Sequence, residues 1–356
     1  MEAVETENKL KEQLIFLIDK LSTTSLSEDE FTKLLQNKKL VFQYAQNKAN
    51  KIRQENFSNK IYIRALIEIS NYCKNACFYC GINCKNQNVK RYRLSEEEIL
   101  DCCKIAYELG FRTFVLQGGE DLFFTDEKIC KILKLIKTSY PDCAITLSLG
   151  EKSKESYALF KKAGADRYLL REETANPVHY AKLHPENMNH QNRLDCLKNL
   201  KKLGFQTGAG FMVGSPYQTL EDIAKDLFFI QELKPQMVGI GPFIPHSQTE
   251  FSNFPQGELE LTLFILSLLR IMNPKVLLPA TTALATINPE GRILGILSGA
   301  NVVMPNVSPR EQRKNYSLYN NKVSENEESV EGLELLQKQL DKINCKIDYS
   351  RGDYQI

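Results

Sequence analysis

The stretch IEISNYCKNACFYCGINCKNQ, residues 67–87, holds four of the ten cysteines in the chain. An apolar run that fits a buried strand passes directly into Cys73, Cys77, Cys80 and Cys84. In parallel barrel enzymes the reactive groups follow the C-terminal ends of the strands. The stretch therefore indicates a strand with a cysteine-based site at its end, and the question is what the thiols bind.

Outside this stretch, the 356-residue chain alternates between β-rich apolar runs and amphipathic helical patterns. The predicted strands are 61–69, 113–118, 144–149, 166–170, 206–212, 236–243, 276–280 and 300–304. The clearest helical patterns are 95–109, 125–138, 152–163, 190–203, 219–233 and 258–272. Strands of the buried type, each followed by a helical pattern, predict an α/β fold, a (β/α)₈ TIM-type barrel. Glycines in ELGFRT, KAGADR and KLGFQT stand where a helix must end before the next strand.

Three regions are predicted along the chain. Residues 1–58 form an N-terminal helical extension in which Ser27 and Glu30 make a capping box, and Ser95 with Glu98 makes another at the first barrel helix. The barrel core is predicted at residues 59–310. Residues 311–356 are expected to form a closing helix near 326–343 and a polar tail from Cys345 onward.

Charge and apolar pattern restrict the partners and the location. The formal net charge is +2 and the basic residues form no block, so no nucleic acid partner is expected. The start, MEAVETENKL, is acidic and polar rather than a secretion signal, and the longest apolar run, 261–271, is too short to span a bilayer. We therefore expect a soluble, cytoplasmic protein with no membrane contact. In a reducing compartment a tight cysteine cluster is a metal site rather than a set of disulfides.

Three kinds of cysteine site fit the spacing poorly. A zinc knuckle needs a second ligand pair, and the four histidines offer none at the required spacing. A thioredoxin-like Cys77–Cys80 pair needs a small βαβ fold, and a bacterial ferredoxin run is spaced differently and ends in Cys-Pro. What remains is Cys73-x3-Cys77-x2-Cys80, with Tyr79 before the third thiol. This arrangement holds a [4Fe-4S] cluster through three thiolates and leaves one iron with an open position.

This motif strongly resembles that of the radical S-adenosylmethionine (radical SAM) family. The resemblance implies that the open iron binds the amine and carboxylate of S-adenosyl-L-methionine. It also implies that one electron from the reduced cluster cleaves the sulfonium, giving methionine and a 5′-deoxyadenosyl radical. The segment QGGED is similar to the motif that binds the cofactor's amino group. Its small residues let the backbone approach, and Glu120 brings an acceptor near a cation.

Longer strings narrow the resemblance to the radical SAM maturases of [FeFe]-hydrogenase, the HydE family, within the biotin synthase-like enzymes. They are TLSLGE, ADRYLLREETANP, TGAGFMVGSPYQT, MVGIGPFIPH, PATTA and GANVVMPN. By this resemblance Cys73, Cys77 and Cys80 hold the cluster, and the cofactor is lined by Tyr79, Gln117, Gly118, Gly119, Glu120, Glu173, Arg193 and Met237. The substrate site is formed by Thr146, Arg171, Thr281 and Thr282 and is closed by Met304, Tyr316 and Tyr319. Independently, an arginine fork with clustered hydroxyls inside a barrel suits a carboxylate.

Alternatives remain open for individual residues. Arg171 could instead form a structural ion pair with Glu172 or Glu173, and methionines on strands are often only core fillers. Cys84 could be a fourth cluster ligand, which would close the open position, but it lies outside the motif and is expected to be an ordinary loop thiol. The segment NNKVSENEESVEG, residues 320–332, lacks the cysteines that hold a second cluster in some HydE proteins. A single cluster is therefore expected, unless Cys345 contributes to a second.

The resemblance implies a radical SAM enzyme that acts on a small cysteine-derived, iron-bound precursor during assembly of the hydrogenase active site, the H-cluster. Its expected partners are a small-molecule or organometallic substrate with a carboxylate, a reductant protein and other hydrogenase maturases. One alternative is a radical SAM amino-acid mutase of the methylornithine synthase type, which rearrangement of lysine would reveal. Another, from a different class, is a non-catalytic metal-binding scaffold, which bound zinc without iron would favour.

Overall fold

In the computed structural model, which describes residues 2–322 and 332–355, parallel strands form a barrel surrounded by helices. The strands are β1 Lys60–Ile63, β2 Ala65–Ser70, β3 Thr113–Gly118, β4 Ala144–Ser148, β5 Arg167–Leu169, β6 Gln206–Ala209, β7 Met212–Val213, β8 Met237–Val238, β9 Gly241–Pro242, β10 Val302–Val303 and β11 Lys346–Asp348. The first helices are α1 Glu2–Lys20, α2 Glu28–Gln36, α3 Lys38–Phe57, α4 Glu96–Glu108, α5 Asp126–Ser139, α6 Lys154–Ala163 and α7 Pro177–Leu183. They are followed by α8 His190–Lys202, α9 Leu220–Leu233, α10 Leu259–Met272, α11 Thr282–Ile287, α12 Gly291–Leu297, α13 Arg310–Arg313 and α14 Leu333–Asp341.

The barrel closes through one long sheet and a few single bridges. Strands β2, β3, β4, β5, β6 and β8 pair in that order, all parallel. Beyond β8, the bridges Met237↔Leu277 and Pro279↔Val302 continue the ring to β10, and β10 pairs with β1. The predicted barrel is thus confirmed, and all strands that carry candidate residues point their C-terminal ends to one mouth.

Several predicted strands are interrupted. The run 61–69 is broken at Arg64 into β1 and β2, and 206–212 and 236–243 are each split into two short strands. The break after β6 follows from close approach, since a Cβ at Gly210, whose φ is +151°, would lie 2.0 Å from the Gly239 oxygen. Within 276–280 only single bridges form, and Pro279 there has no N–H to donate to a ladder. Uninterrupted strands at these positions were therefore a wrong prediction.

The predicted helices are confirmed to within two residues at each end. Both capping boxes form, at Ser27 with Glu30 and at Ser95 with Glu98. Gly110, Gly164 and Gly204 lie at the expected helix ends with φ values of +94°, +114° and +76°. Glycine adopts this left-handed conformation without the steric strain that a Cβ causes, which explains why each helix–strand junction has a glycine. Among the residues that the structure describes, no helix has the length and apolar content needed to cross a membrane.

The N-terminal helices cover the outside of the barrel. Helix α3 packs along α10, and α2 packs against α9. Between α1 and α2 the backbone of Leu26 is fixed by Gln231 of α9, whose amide accepts from the Leu26 N–H at 2.8 Å and donates to its carbonyl at 3.0 Å. Both residues are buried, so these two bonds satisfy backbone groups that would otherwise lack partners.

The C-terminal residues differ from the expected polar tail. Residues 326–331 of the predicted closing helix lie outside the described residues, and the described remainder contains α14. The segment after Cys345 is a strand, β11, which pairs parallel to β1. Beyond it, the Arg351 carbonyl accepts from Thr113 at 2.8 Å, and Asp353 pairs with Arg167 at 2.6 Å. The chain end therefore covers the N-terminal end of the barrel.

Candidate active site at the C-terminal mouth of the barrel

The cysteine loop follows β2 and is fixed by one arginine. Arg91 donates to the carbonyls of Ile82 at 2.8 Å, Asn83 at 2.6 Å and Asn86 at 3.0 Å, and also to that of Asn71. A planar guanidinium with five donors can hold several carbonyls at once, which a flexible lysine cannot do equally well. The loop is thereby ordered without regular secondary structure.

The three motif thiols are partly buried and close enough to influence one another. Burial raises the pKa of Cys73, and burial with the neighbouring thiols raises that of Cys77 well above its ordinary value. Burial and Cys73 raise the pKa of Cys80 to about 12. The protein alone thus disfavours three thiolates here, whereas thiolates bound to iron are stabilised by the metal's charge. This donor set fits an iron–sulfur cluster.

Within the described ranges, no three His, Cys, Asp or Glu side chains converge on a point where one metal ion could bind. A cubane distributes its three thiolates over three different irons, so its ligands need not converge in that way. All ten cysteines are free thiols. Cys102, Cys103, Cys143 and Cys196 are buried, as expected for thiols that pack with the core.

Cys84 lies at the edge of the loop with an exposed side chain. Its backbone N–H donates to the Asn75 carbonyl at 2.9 Å, which ties this part of the loop to the motif. The structure gives its thiol no hydrogen bond among the described residues. Its position agrees with an ordinary loop thiol, and that assignment stays a prediction.

The glycines after β3 lie directly against the cysteine loop. A Cβ at Gly119 would come within 2.2 Å of the Tyr72 carbonyl and 2.8 Å of the Cys73 Cβ. The Lys74 N–H donates to the Glu120 carbonyl at 3.0 Å, so the two loops are also hydrogen-bonded. The close contact requires glycine at 119, whatever else that residue does for a cofactor.

The Glu120 side chain is engaged by the protein itself. Its carboxylate accepts from the Glu151 N–H at 2.9 Å and lies 3.2 Å from Lys74 and 4.0 Å from Arg193. Glu151 in turn pairs with Arg193 at 2.6 Å. These contacts join the ends of β3 and β4 to α8 in one buried network, and a direct role of Glu120 toward the cofactor stays a prediction.

Tyr79, Arg171, Glu173 and Arg193 are brought together above the barrel axis. The Tyr79 hydroxyl lies 3.2 Å from His184 Nε2, and burial together with Glu173 raises the tyrosine pKa well above its ordinary value. Arg193 donates to the Arg171 carbonyl at 3.4 Å. Glu173 adopts φ of +65°, an uncommon conformation for a residue with a side chain.

Arg171 and Glu173 form an ion pair at 2.5 Å. The structural ion pair that the sequence allowed as an alternative to substrate binding is therefore present. It uses only part of the guanidinium, because the buried Arg171 Nε has no hydrogen-bond partner within the described residues. Glu172 is directed elsewhere and accepts from the Gly210 N–H at 2.6 Å. Arg171 therefore keeps a free donor in the barrel interior.

Two predicted substrate hydroxyls are also without a protein partner. The buried Oγ1 atoms of Thr146 and Thr281 make no hydrogen bond to any described residue. Buried polar atoms almost always have a partner, so such atoms indicate a ligand or water. Thr282, Met304 and Tyr316 line a neighbouring cavity of about 230 Å³. Gln117 donates to the Tyr316 hydroxyl at 3.4 Å, which links the predicted cofactor and substrate residues.

Two predicted site residues lie apart from this group. Met237 packs near the lower end of the barrel with Phe57, Tyr62 and Val302, and its sulfur accepts from Arg64 at 3.2 Å. Tyr319 is partly buried, and its hydroxyl is hydrogen-bonded to Thr286. The structure does not bring Met237 to the cysteine loop, and the roles of both residues stay predictions.

Sequence reasoning missed several residues of the site. Besides Arg91, Glu151 and His184, it missed Glu68, a buried acid on β2 that pairs with Lys322 at 2.8 Å and accepts from Asn306 at 2.8 Å. Asn306 and Lys322 line the same cavity as Met304. Asn306 comes just after a predicted strand, and this position could have indicated a site residue. The other missed residues are brought to the site by contacts between distant parts of the chain.

Three comparisons bear on this geometry. The sequence model of the Radical SAM superfamily matches residues 67–230. The chain is 48% identical over 275 residues to the [FeFe] hydrogenase maturase subunit HydE of Thermotoga maritima, which covers 77% of this chain and 78% of that one. It is 30% identical over 273 residues to 3-methylornithine synthase of Methanosarcina acetivorans, covering 75% and 76%.

Solved structures show the same fold. The crystal structure of methylornithine synthase (PylB) superposes with a TM-score of 0.82 at 26% identity, covering 93% of this chain and 97% of that one. The maturase HydG superposes with a TM-score of 0.79 at 20% identity, covering 98% and 80%. The second likeness shows the fold alone.

Proposed function

Since the chain belongs to the HydE family of [FeFe]-hydrogenase maturases, within the radical SAM enzymes, we propose that it modifies a small, cysteine-derived, iron-bound precursor during H-cluster assembly. The family uses a [4Fe-4S] cluster with S-adenosyl-L-methionine, and the cluster supplies the electron that reductively cleaves the cofactor to a 5′-deoxyadenosyl radical. The site of action we propose is the cytoplasm, with a reductant protein and other maturases as partners.

Cys73, Cys77 and Cys80 would hold the cluster. Their partial burial would limit access of water to the cluster, and the Arg91 contacts hold the loop that presents them. Gly119 lets the chain pass close beside Cys73, and Gly118 lies against the Ser70 carbonyl; the cofactor's methionine part is expected near these glycines. Glu173 and Arg193 offer an acceptor and a donor next to Tyr79 for its polar groups.

The observation that carries the substrate proposal is that three predicted substrate residues each have a buried polar atom without a partner among the described residues. The atoms are the Nε of Arg171 and the hydroxyl oxygens of Thr146 and Thr281. Together they offer a cation and two hydroxyls, a set of donors that suits a carboxylate. Buried donors without hydrogen bonds lower the stability of the fold, so a ligand that binds them would offset this cost. A carboxylate-bearing amino-acid derivative satisfies them.

We propose a single cluster. Cys345, the remaining candidate for a second, is buried just before β11, which pairs with β1 away from the mouth. Iron and sulfide analysis after anaerobic reconstitution tests this, with about four irons per chain expected. A second cluster signal in the electron paramagnetic resonance spectrum would contradict it.

The function is tested by anaerobic reconstitution, followed by electron paramagnetic resonance with and without S-adenosyl-L-methionine and an assay for 5′-deoxyadenosine. A cluster signal that shifts on adding the cofactor, together with complementation of a hydrogenase strain that lacks its own maturase, supports the proposal. Bound zinc with no iron would refute it.

A second candidate, an amino-acid mutase of the methylornithine synthase type, is favoured by the extent of the superposition on that enzyme. Incubating the reconstituted protein with lysine and searching for a rearranged product distinguishes the two. A rearranged amino acid without complementation would favour the mutase.

A further inference from the structure

The end of α7 and its connection to α8 lie against the cysteine motif. The Cys77 Sγ lies 3.7 Å from the Met188 Sδ. The Phe78 N–H donates to the carbonyl of Leu183, which is the last residue of α7 and is fully buried, at 3.1 Å. The motif is therefore held by a segment that is distant in the sequence, in addition to the contacts within its own loop.

His184, the next residue of this segment, gives the Tyr79 ring a neighbour of fixed position. Its Nε2 lies 3.2 Å from the Tyr79 hydroxyl, and the two rings meet edge to face with their centres 5.4 Å apart. His184 also stacks on Tyr180, with ring centres 3.9 Å apart, and only 2% of its surface is exposed. It is thus packed between two tyrosine rings.

The tautomer of His184 follows from its other ring nitrogen. Nδ1 lies 3.0 Å from the Tyr180 carbonyl, and a carbonyl oxygen can only accept a hydrogen bond, so Nδ1 carries the hydrogen. Burial lowers the pKa of His184 to about 3, which keeps the ring neutral near pH 7. In a neutral ring with its hydrogen on Nδ1, Nε2 is an acceptor. The Tyr79 hydroxyl therefore donates to His184.

This direction determines what Tyr79 can offer to a ligand. A phenol has one hydrogen to donate, and here His184 accepts it. The described residues give the Tyr79 hydroxyl no further hydrogen bond, so its oxygen keeps a lone pair for a donor. Tyr79 is only partly buried and lies near Glu173 and Arg193, where the cofactor is expected. Tyr79 can thus accept a hydrogen bond from the cofactor but has no hydrogen left to donate to it.

We propose that His184 is a positioning residue that fixes the Tyr79 hydroxyl as a hydrogen-bond acceptor for S-adenosyl-L-methionine. The ammonium group, the ribose hydroxyls and the adenine amino group of the cofactor are donors of the kind that this oxygen can bind. The inference rests on the proposed function, since only a chain that binds this cofactor needs the arrangement. His184 acts through Tyr79 alone, and no hydrogen or electron is transferred to it.

The test measures cofactor binding to the reconstituted holoenzyme with its cluster oxidised, so that no cofactor is cleaved. Equilibrium dialysis against labelled S-adenosyl-L-methionine gives the Kd. The variants His184→Asn and His184→Gln are matched, because each replaces the ring with a neutral amide. The shorter asparagine amide takes the place of Nδ1 and can still donate to the Tyr180 carbonyl. The longer glutamine amide reaches the place of Nε2 and can accept from Tyr79.

We expect His184→Asn to weaken the Kd about fivefold and His184→Gln to stay within about twofold of the unmodified protein. In the Tyr79→Phe background there is no hydroxyl to orient, so both substitutions should leave the Kd of Tyr79→Phe unchanged within about twofold. The control, His179→Asn, alters another buried histidine of α7, which bonds the Pro216 carbonyl, and should not change the Kd. Urea denaturation of each variant separates a loss of stability from a loss of affinity.

A purely structural His184 would give other results. Equal Kd values for the two His184 variants, or a loss with His184→Asn that persists in the Tyr79→Phe background, would overturn the proposal. If His184→Asn does not fold, His184→Phe, which can still stack on Tyr180 but has no acceptor, takes its place. Failure of the proposed function is distinguishable, because the unmodified protein itself would then not bind S-adenosyl-L-methionine, and the inference would fall with it.

Discussion

The two ends of the barrel each hold an arginine from the same strand region, four residues apart: Arg167 is fully buried and Arg171 partly buried, and their surroundings differ. Arg167, at the start of β5, donates to Gln206 at 3.2 Å, Thr113 at 3.1 Å and the Arg351 carbonyl at 2.8 Å, and pairs with Asp353. Arg171, just beyond β5, has one ion pair and an Nε without a partner among described residues. At the lower end, where the strands begin, the guanidinium donors of Arg167 are bound by other residues of the chain. At the upper end, the C-terminal mouth, Arg171 keeps a donor that a ligand can bind.

The difference shows how one fold separates stability from chemistry. Barrels place reactive groups at the C-terminal mouth, where loops can vary, and use the opposite end for packing. Arg64 is an exception at the lower end, because its buried Nε also lacks a hydrogen-bond partner in the described part of the chain. Substitutions can therefore test whether the upper groups act in binding and the lower groups in stability.

The largest effect is expected at the upper end, for Cys77→Ser. Serine has no thiolate to bind iron, so the reconstituted variant should lose most of its iron and all formation of 5′-deoxyadenosine. Iron analysis and chromatography of the products measure both. Cys84→Ser is the matched control within the same loop and should retain iron and activity. Loss of iron in the control would instead make Cys84 a ligand.

At the lower end, Arg167→Lys should reduce the free energy of unfolding by about 2–4 kcal/mol. Lysine cannot reach the several acceptors that the guanidinium satisfies, which leaves buried oxygen atoms and Asp353 without their donors. Urea denaturation of the protein measures the loss. Formation of 5′-deoxyadenosine per intact cluster should stay unchanged, and a selective loss of that activity would break the proposed separation of the two ends.

The same substitution at the upper end, Arg171→Lys, should have the opposite result. It keeps the charge opposite Glu173 but removes the planar fork, so binding of a carboxylate should weaken by about tenfold, or about 1.4 kcal/mol. The probe is L-cysteine with ferrous iron, titrated into the cofactor-bound enzyme. The unfolding free energy should change less than in Arg167→Lys. A larger stability loss with unchanged binding would make Arg171 a structural residue.

Much of this architecture could be predicted from the sequence, because local rules determine it. Capping residues such as Ser95 fixed the helix starts, and the glycine at Gly164 marked a helix end. The barrel rule then placed Cys73, Arg171 and Thr281 at one mouth. These inferences needed only periodicity, turn chemistry and the order of strands and helices.

The rest depended on contacts between distant parts of the chain. Nothing near Asp353 in the sequence indicates that it binds Arg167, and nothing near Lys322 indicates Glu68. The break at Gly210 is caused by the backbone of Gly239, which lies between β8 and β9. Such effects arise from tertiary packing, so a pattern read along the chain could not include them.

The last prediction concerns a carboxyl next to the upper arginine. Glu172 is fully buried, with one oxygen bonded to the Gly210 N–H and the other without a partner among described residues. Burial raises its pKa from the ordinary 4.5 to about 8. The buried Asp226, which has one unpartnered oxygen, is raised well above its ordinary value, first by burial and also by Glu172. Burial therefore favours the protonated form of both carboxyls.

A raised pKa in the folded state means that the folded protein keeps a proton that the unfolded chain has released. Stability from Glu172 is therefore complete below about pH 4.5 and falls as the pH rises toward about 8, by at most about 1.4 kcal/mol per pH unit. Glu172→Gln keeps an acceptor for Gly210 and has no proton to lose, so its unfolding free energy should decline less over that interval. Urea denaturation at several pH values measures the slope, with the exposed Glu108→Gln as control. Equal slopes in the two variants would mean that Glu172 is ionised in the folded protein, and the upper end would then hold an additional negative charge close to Arg171.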